Sequence, residues 1–495
     1  MLKKIRVILA VICFLAITAL FVDFSATAIH GWGWLAKIQF MPAVLSANFV
    51  ILVSLILATL IFGRVYCSIL CPLGVMQDII SWLRGKINKR AKARFKYERN
   101  LSWLRISVLA LFVLALSLGF ANLAAFIEPY SVYGRIAGSF LKPIYAEANN
   151  ILASMQGPDD YRFYNVEYYV SIGSMIVAGI TFIIIAVLAW ADGRIYCNTI
   201  CPVGTILGFL SKFSWLKPVI NTDKCIKCGA CARKCKASCI DFKNERIDYS
   251  RCVACMDCLE SCSTNAITYS HSAKKAASDA DSSENKANGR REFLTIGALL
   301  AGTAILKAEE KNVDGGLAKI IDKVKPERHT LITPPGSQSH SNFFKHCTSC
   351  QLCISNCPNG VLRPSSDASR FMQPEVSYER GYCRPECTRC SEVCPTGAIS
   401  LLDVAQKNST QIGHAVWVKE NCLPYNDGTS CGNCARHCPT GAIVMTAMNP
   451  DDPMSPKIPA VNTELCIGCG ACENLCPSRP FSAIYVEGHE VHRER

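Results

Sequence analysis

The chain is short of charge. Only 18% of its 495 residues are Asp, Glu, Lys or Arg, half are hydrophobic, and mean hydropathy is +0.21. That scarcity excludes a simple soluble protein, while the length allows several domains. Acid is the scarcer sign, 39 residues against 52 basic ones, for a net charge of +13. A basic excess could suit nucleic acid, but here it flanks apolar runs, which favours membrane topology and leaves nucleic acid out of the expected partners. No general-base or nucleophile constellation is present, so bond-making catalysis has no residues to carry it. Cysteine is what the chain has in abundance. Most of its 30 cysteines fall in CxxCxxCxxxC runs, which is metal-ligand spacing rather than a scattered disulfide framework.

Four apolar runs of near-bilayer length are expected to be spans: Val7–Val22, Asn48–Phe62, Leu104–Phe126 and Val170–Ala191. The first lacks a clear cleavage site and three more follow, so it reads as retained. Basic residues precede the first run (Lys3, Lys4, Arg6) and follow the second (nine between Arg64 and Arg99) and the fourth (Arg194, Lys212, Lys217, Lys224). The first-to-second loop has only Lys37, and the third-to-fourth is mostly acidic. The positive-inside bias therefore places both ends of the four-helix unit in the cytoplasm, with the basic run 84–99 facing anionic headgroups.

An internal repeat closes the second and fourth runs. Gly63–Gly74 and Gly193–Gly204 share seven of twelve residues at an offset of 130, predicting two parallel helix pairs. Cys67, Cys71, Cys197 and Cys201 should face one another, each pair on one helix face at i, i+4. Metal ligation and a reversible disulfide both fit that spacing. Cys13, alone in the first run, reads as packing.

The remaining cysteines form ladders. Cys225, Cys228, Cys231, Cys235 and Cys252, Cys255, Cys258, Cys262 have two-cluster ferredoxin spacing. Three thiolates on a short loop bind one [4Fe–4S] cube and the fourth cysteine binds the other. Cys225, Cys228, Cys231 and Cys262 are thus assigned to one cluster, and Cys252, Cys255, Cys258 and Cys235 to the second. Structural zinc prefers two CxxC pairs. Lys236 and Ser263 stand where proline usually follows the fourth cysteine, and Cys239 reads as non-ligating. Further on come Cys347, Cys350, Cys353, Cys357; Cys383, Cys387, Cys390, Cys394; Cys422, Cys431, Cys434, Cys438; and Cys466, Cys469, Cys472, Cys476. The second motif has three residues in its first gap and the third has eight. Pro-Thr-Gly-Ala-Ile follows Cys394 and Cys438, a turn into a strand. Pairing of first motif with fourth and second with third is preferred to sequential pairs. The count is six [4Fe–4S] clusters.

Between the ladders, His271–Gly289 is polar and without apolar period, a flexible linker. Arg290-Arg291 with Phe293-Leu294 and an apolar run to Leu306 resembles a twin-arginine export signal. Fourteen apolar residues reach only about 21 Å, short of a ~30 Å hydrocarbon core. No small-x-small cleavage site follows, so the segment is read as a signal or anchor. Clusters are assembled in the cytoplasm, so a domain carrying four of them must cross already folded, as that route allows.

With these motifs in hand, residues 1–270 resemble the NapH/MauN membrane ferredoxins and 289–495 resemble the NapG/MauM polyferredoxins. The fold class expected is a membrane all-α four-helix N-terminal unit plus α+β bacterial-type ferredoxin modules. Its parts are a transmembrane domain (1–215), a cytoplasmic two-cluster module (216–270), a linker (271–289), the export signal or anchor (290–306), a connector (307–341) and a four-cluster domain (342–495). The resemblance implies a protein of the bacterial cytoplasmic membrane that oxidises menaquinol or ubiquinol and passes electrons through its clusters to an extracytoplasmic reductase or cytochrome. NosR- and CcoG-type proteins share the CxxxCP architecture, which leaves the acceptor open. Whether the chain is itself an enzyme also stays open. Two other readings are kept. In one, the membrane thiols serve maturation of a partner metalloenzyme; in the other, all clusters lie on the cytoplasmic side. For the quinol, His30 with Trp32 and Trp34, and Glu128-Pro129-Tyr130, are candidates that read more simply as interfacial anchors.

Overall fold

In the computed structural model, residues 2–87, 95–97, 100–156, 163–168, 171–271, 312–313, 318–319, 322–452 and 454–495 are described. The export-type segment 289–306, nearly all of the linker before it and part of the basic run 84–99 lie outside the described residues.

The N-terminal half is helical: α1 (Leu2–Val22), α2 (Phe49–Phe62), α3 (Val65–Ile69), α4 (Pro72–Ile87), α5 (Ser102–Ser117), α6 (Pro129–Ile136), α7 (Lys142–Ser154), α8 (Ile172–Asp192), α9 (Ile195–Thr199) and α10 (Pro202–Ser211). Among the described residues, α1 and α8 are long and apolar enough to cross a membrane, and α2 and α5 are shorter apolar helices. At ~1.5 Å per residue, α1 and α8 run about 31 Å, whereas α2 and α5 run only about 21 and 24 Å. The expected third span, Leu104–Phe126, is therefore not one helix. It stops at Ser117, because Gly119 takes a left-handed φ of +83°, and a short helix Ala121–Ala125 follows. Apolar side chains on α1, α2, α5 and α8 point outward, with Leu15, Val50, Ile106 and Ile172 all more than 60% exposed.

The repeat is visible as structure. Each copy leaves its long helix through a glycine at φ +70° (Gly63, Gly193), makes one helical turn, and restarts at a Cys-Pro step. Within each turn the cysteine N–H returns to a tyrosine carbonyl, Cys71 to Tyr66 and Cys201 to Tyr196, both at 3.0 Å. The cysteine pairs consequently do not share a helix face as expected. Proline disfavours α backbone at the preceding residue, so α3 and α9 end before Cys71 and Cys201, and Cys201 is extended at φ −66°, ψ 118°.

The rest is built from small antiparallel pairs around cysteine loops. In the N-proximal module, β1 (Leu216–Ile220) pairs with β2 (Ile267–His271), Leu216 opposite His271. In the C-terminal ladder, β3 (Thr410–Trp417) pairs with β6 (Ile484–Glu494), and β4 (Ile443–Ala447) with β5 (Lys457–Val461). Of the two Pro-Thr-Gly-Ala-Ile exits, only the one after Cys438 becomes a strand, β4. After Cys394 the connector takes that place, with Ser400 N–H donating to Gly336 O. The connector belongs structurally to the ladder: Val324 donates to Pro480 O, and Val376 to Ile332 O.

The two modules hold opposite ends of α1. At its start, Lys3 pairs with Asp257 (3.2 Å) and Glu260 (2.8 Å), and Arg6 donates to Cys255 O (3.2 Å). At its end, Asn356 donates to Leu20 O (3.0 Å), and Arg389 reaches Phe24 O just beyond (3.1 Å).

Candidate iron–sulfur sites and the thiol quartet

The cysteine loops owe their shape to alternating left-handed residues. In four motifs the residues just before and just after the second cysteine have positive φ: Lys227 and Gly229, Ala254 and Met256, Ser349 and Gln351, Gly468 and Gly470. Alternation of this kind turns successive N–H groups toward one concave side, which favours an anionic guest. The motifs with longer gaps, starting at Cys383 and Cys422, lack it.

Cysteines from two motifs close each cavity. Cys225, Cys228, Cys231 and Cys262 line one, and Cys252, Cys255, Cys258 and Cys235 another. Cys422, Cys431, Cys434 and Cys476 surround about 400 Å³ of space not filled by protein atoms, partly open to solvent. In the ladder, Cys394 lies beside Cys347, Cys350 and Cys353; Cys357 beside Cys383, Cys387 and Cys390; and Cys438 beside Cys466 and Cys469, with Cys472 next to both of these. The structure thus pairs the motifs sequentially, first with second and third with fourth. The preference for first with fourth fails because the chain from Cys357 to Cys383 folds back through an antiparallel pair, Leu362–Pro364 against Pro374–Val376, which returns the second motif to the first.

These sites suit a multinuclear core. Among the described residues, no three His, Cys, Asp or Glu side chains converge as a single metal ion would require, and zinc at about 2.3 Å needs its thiolates nearly touching. Burial pushes the Cys258, Cys347 and Cys472 thiols well above their usual range. They become ligands only where a bound cation displaces the proton. Backbone N–H groups wait for the resulting charge: Ala266 donates to Cys262 Sγ (3.2 Å), Ile399 to Cys394 Sγ (3.4 Å) and Ala483 to Cys476 Sγ (3.3 Å). A bound cube supplies one-electron storage, and these residues would hold it.

The sites follow one another. In the ladder, Cys383 N–H donates to Cys469 O (2.9 Å), which sets the second site against the fourth motif's. The first site rests on the helices: Cys350 lies beside Glu128, Arg135 and Tyr130, and Ser174 Oγ donates to Gln351 (3.1 Å). Between modules sits the quartet. Cys67, Cys71, Cys197 and Cys201 are buried and close enough to feel one another's charge. Two fully buried arginines cross over it. Arg64 of the first copy donates to Cys197 O (3.3 Å) and Asn198 (2.9 Å) of the second; Arg194 of the second donates to Cys67 O (2.5 Å) of the first. Arg64 continues to Ser250 O (3.1 Å), beside Cys252. On the other side Tyr196, next to Cys197, donates to Ile127 O (2.9 Å), one residue from Glu128.

Several of these residues escaped sequence reasoning. Arg64 and Arg194 stood in the repeat's identical positions, yet only the cysteines were read as chemical. Asp78 joins Arg6 (3.2 Å), Arg194 (2.8 Å) and Lys236 (3.1 Å), so Lys236 ties module to helices where proline was expected. Cys239 stands on the second cavity with its Sγ 3.4 Å from Cys235 Sγ, a fifth thiol there. Glu128 and Tyr130 are 2% and 1% exposed, Glu128 capping α6 by accepting from the Tyr130 and Ser131 N–H groups, unlike the expected anchors, whereas His30 and Trp34 are exposed.

Comparison with known proteins gives the same chemistry. A family model described as 4Fe-4S dicluster domain matches residues 346–398, which hold the first sequential pair, and 429–479, which hold the second except Cys422. Models described as 4Fe-4S binding domain match 218–241 and, over both repeat copies, 46–90 and 174–221. The methylamine utilization ferredoxin-type protein MauM of Paracoccus denitrificans is 31% identical over 194 residues, 38% of this chain and 82% of the relative. The chain belongs to the MauM family of ferredoxin-type proteins. Like MauM, the ferredoxin-type protein NapG of Escherichia coli K12 matches over 38% of this chain (28% identity, 81% of NapG), and NapF of the same strain over 32% (29% identity, 87% of NapF). No solved structure matches. The MauM-family chain is accordingly an iron–sulfur protein of electron transfer.

Proposed function

We propose that this MauM-family chain is a membrane electron relay of the quinol dehydrogenase kind. It takes electrons from menaquinol or ubiquinol and passes them through six [4Fe–4S] clusters to an extracytoplasmic reductase or cytochrome. The observation that carries the reading is the unbroken succession of thiol sites: two in the N-proximal module, the quartet among the helices, then four along the ladder. The outward apolar faces of α1, α2, α5 and α8 support a bilayer around the helical unit. Resemblance of residues 1–270 to the NapH/MauN proteins supports a fusion of membrane and exported halves in the bacterial cytoplasmic membrane. Cys67, Cys71, Cys197 and Cys201 hold a metal centre in this reading. The 4Fe-4S family model over both copies supports it, as do Arg64 and Arg194, whose buried charge favours an anionic centre between them.

The same quartet of buried thiols also fits a maturation factor that reduces a metal or disulfide in a partner enzyme. Cys67→Ser with Cys197→Ser separates the two. The relay reading expects quinol-driven reduction of the ladder, followed by EPR, to collapse while dithionite still reduces the remaining clusters. Intact quinol-driven reduction with loss of partner activation would hand the case to maturation.

A further inference from the structure

Among the described residues, the N-proximal module has one cluster site whose loop reaches the surface. Of the thirty cysteines, Cys228 alone is exposed, and it lines the cavity formed with Cys225, Cys231 and Cys262. Beside it Ile226 is 65% exposed. From Asp223 to Arg246 the chain carries seven Lys or Arg against three Asp or Glu. Lys236 is drawn inward to Asp78 and Asp257. The other six, Lys224, Lys227, Arg233, Lys234, Lys243 and Arg246, are exposed around this loop. Glu245 engages Lys227 at 3.3 Å, and Arg233 donates to Cys228 O at 2.9 Å, which fixes its guanidinium at the cluster's edge. The neighbouring site is different in kind: Arg6, Arg64 and Lys236 bind its loop to the helices. None of those anchors reaches residues 224–231. A cysteine at the surface, one apolar side chain and a ring of cations is the make-up of a transient electron-transfer contact, in which opposite charge steers a partner and sets its on-rate.

We propose that this face receives a small, acidic, soluble one-electron carrier of the ferredoxin class. One electron leaves the carrier's reduced iron centre and enters the cluster held by Cys225, Cys228, Cys231 and Cys262. No bond forms or breaks and no proton moves. The port goes beyond the quinol reading, since it joins the relay to a soluble pool at the end remote from the ladder.

The test uses full-length holoprotein in nanodiscs of zwitterionic lipid, with a strongly acidic two-iron ferredoxin reduced beforehand and freed of excess reductant. Bleaching of the chain's clusters should follow second-order kinetics that slow roughly tenfold between about 20 and 200 mM salt. Lys224→Glu with Lys234→Glu, both exposed and outside the ligand set, should slow the reaction about tenfold at low salt while leaving reduction by dithionite unchanged. Equal rates for variant and wild type, or rates indifferent to salt, overturn the proposal. So does a variant that loses affinity only for anionic vesicles, because the cations then serve lipid. Reduction by a menaquinol analogue is read in the same discs. Its absence in wild type sinks the quinol reading alone, and its presence in the charge-reversed variant shows the relay intact.

Discussion

Asp78 is the residue on which the joint between module and helices turns. One carboxylate faces Arg6, Arg194 and Lys236, and its own side chain is nearly buried. Although burial alone would raise its pKa, Arg194 and Lys236 outweigh it and hold the carboxyl well below the usual range. A depressed carboxyl contributes stability that is present above its unfolded value and lost only as pH falls through the folded one. The joint should therefore be indifferent to pH across the neutral range. Asp78→Asn leaves Arg6 and Arg194 without their anion and Lys236 with Asp257 alone, and removal of one partner from a buried pair costs about 3–5 kcal/mol. The expected outcome is release of the N-proximal module to limited proteolysis, with iron content of the ladder unchanged. Unaltered protection of residues 216–271 would show that the network contributes nothing. No sequence pattern announces Asp78, since a lone aspartate in α4 gains its meaning from partners 72, 116 and 158 residues away.

At the scale of elements, what could be read in advance was local. Cysteine spacing, the repeat and the apolar runs state their own chemistry, so the ligand loops and the facing of the two repeat copies were legible. Length and pairing were not. Whether Leu104–Phe126 is one helix depends on a single left-handed glycine, Gly119, and whether the first two motifs pair depends on the fold-back of Leu362–Pro364 against Pro374–Val376. Nor does spacing reveal how closely two elements approach. A Cβ at Gly134 of α6 would lie 2.5 Å from Cys350 O and 2.8 Å from the Phe21 ring. Gly134→Ala must therefore push the first ladder site away from α1 and α6 at a cost of about 1–3 kcal/mol. Transfer into the ladder should slow in stopped-flow measurements, while cluster content and the N-proximal module stay as they were. Wild-type rates would mean that electrons do not enter by Cys350.

For the whole molecule the decisive quantity is the length of α1. Its first turn belongs to the N-proximal module through Lys3 and Arg6, and its last to the ladder through Leu20. Twenty-one residues rise about 31 Å, the thickness of a hydrocarbon core. If lipid surrounds α1, the two modules cannot share a face, and the quartet stands partway along the route between them. The reading with every cluster in the cytoplasm would require α1 to lie flat while both docked modules stayed on one side of it. An impermeant protease should thus digest residues 342–495 from the outside of spheroplasts and spare 216–271, with the pattern reversed in inverted vesicles. Digestion of both modules from one side would place them together and leave the relay without a membrane to cross.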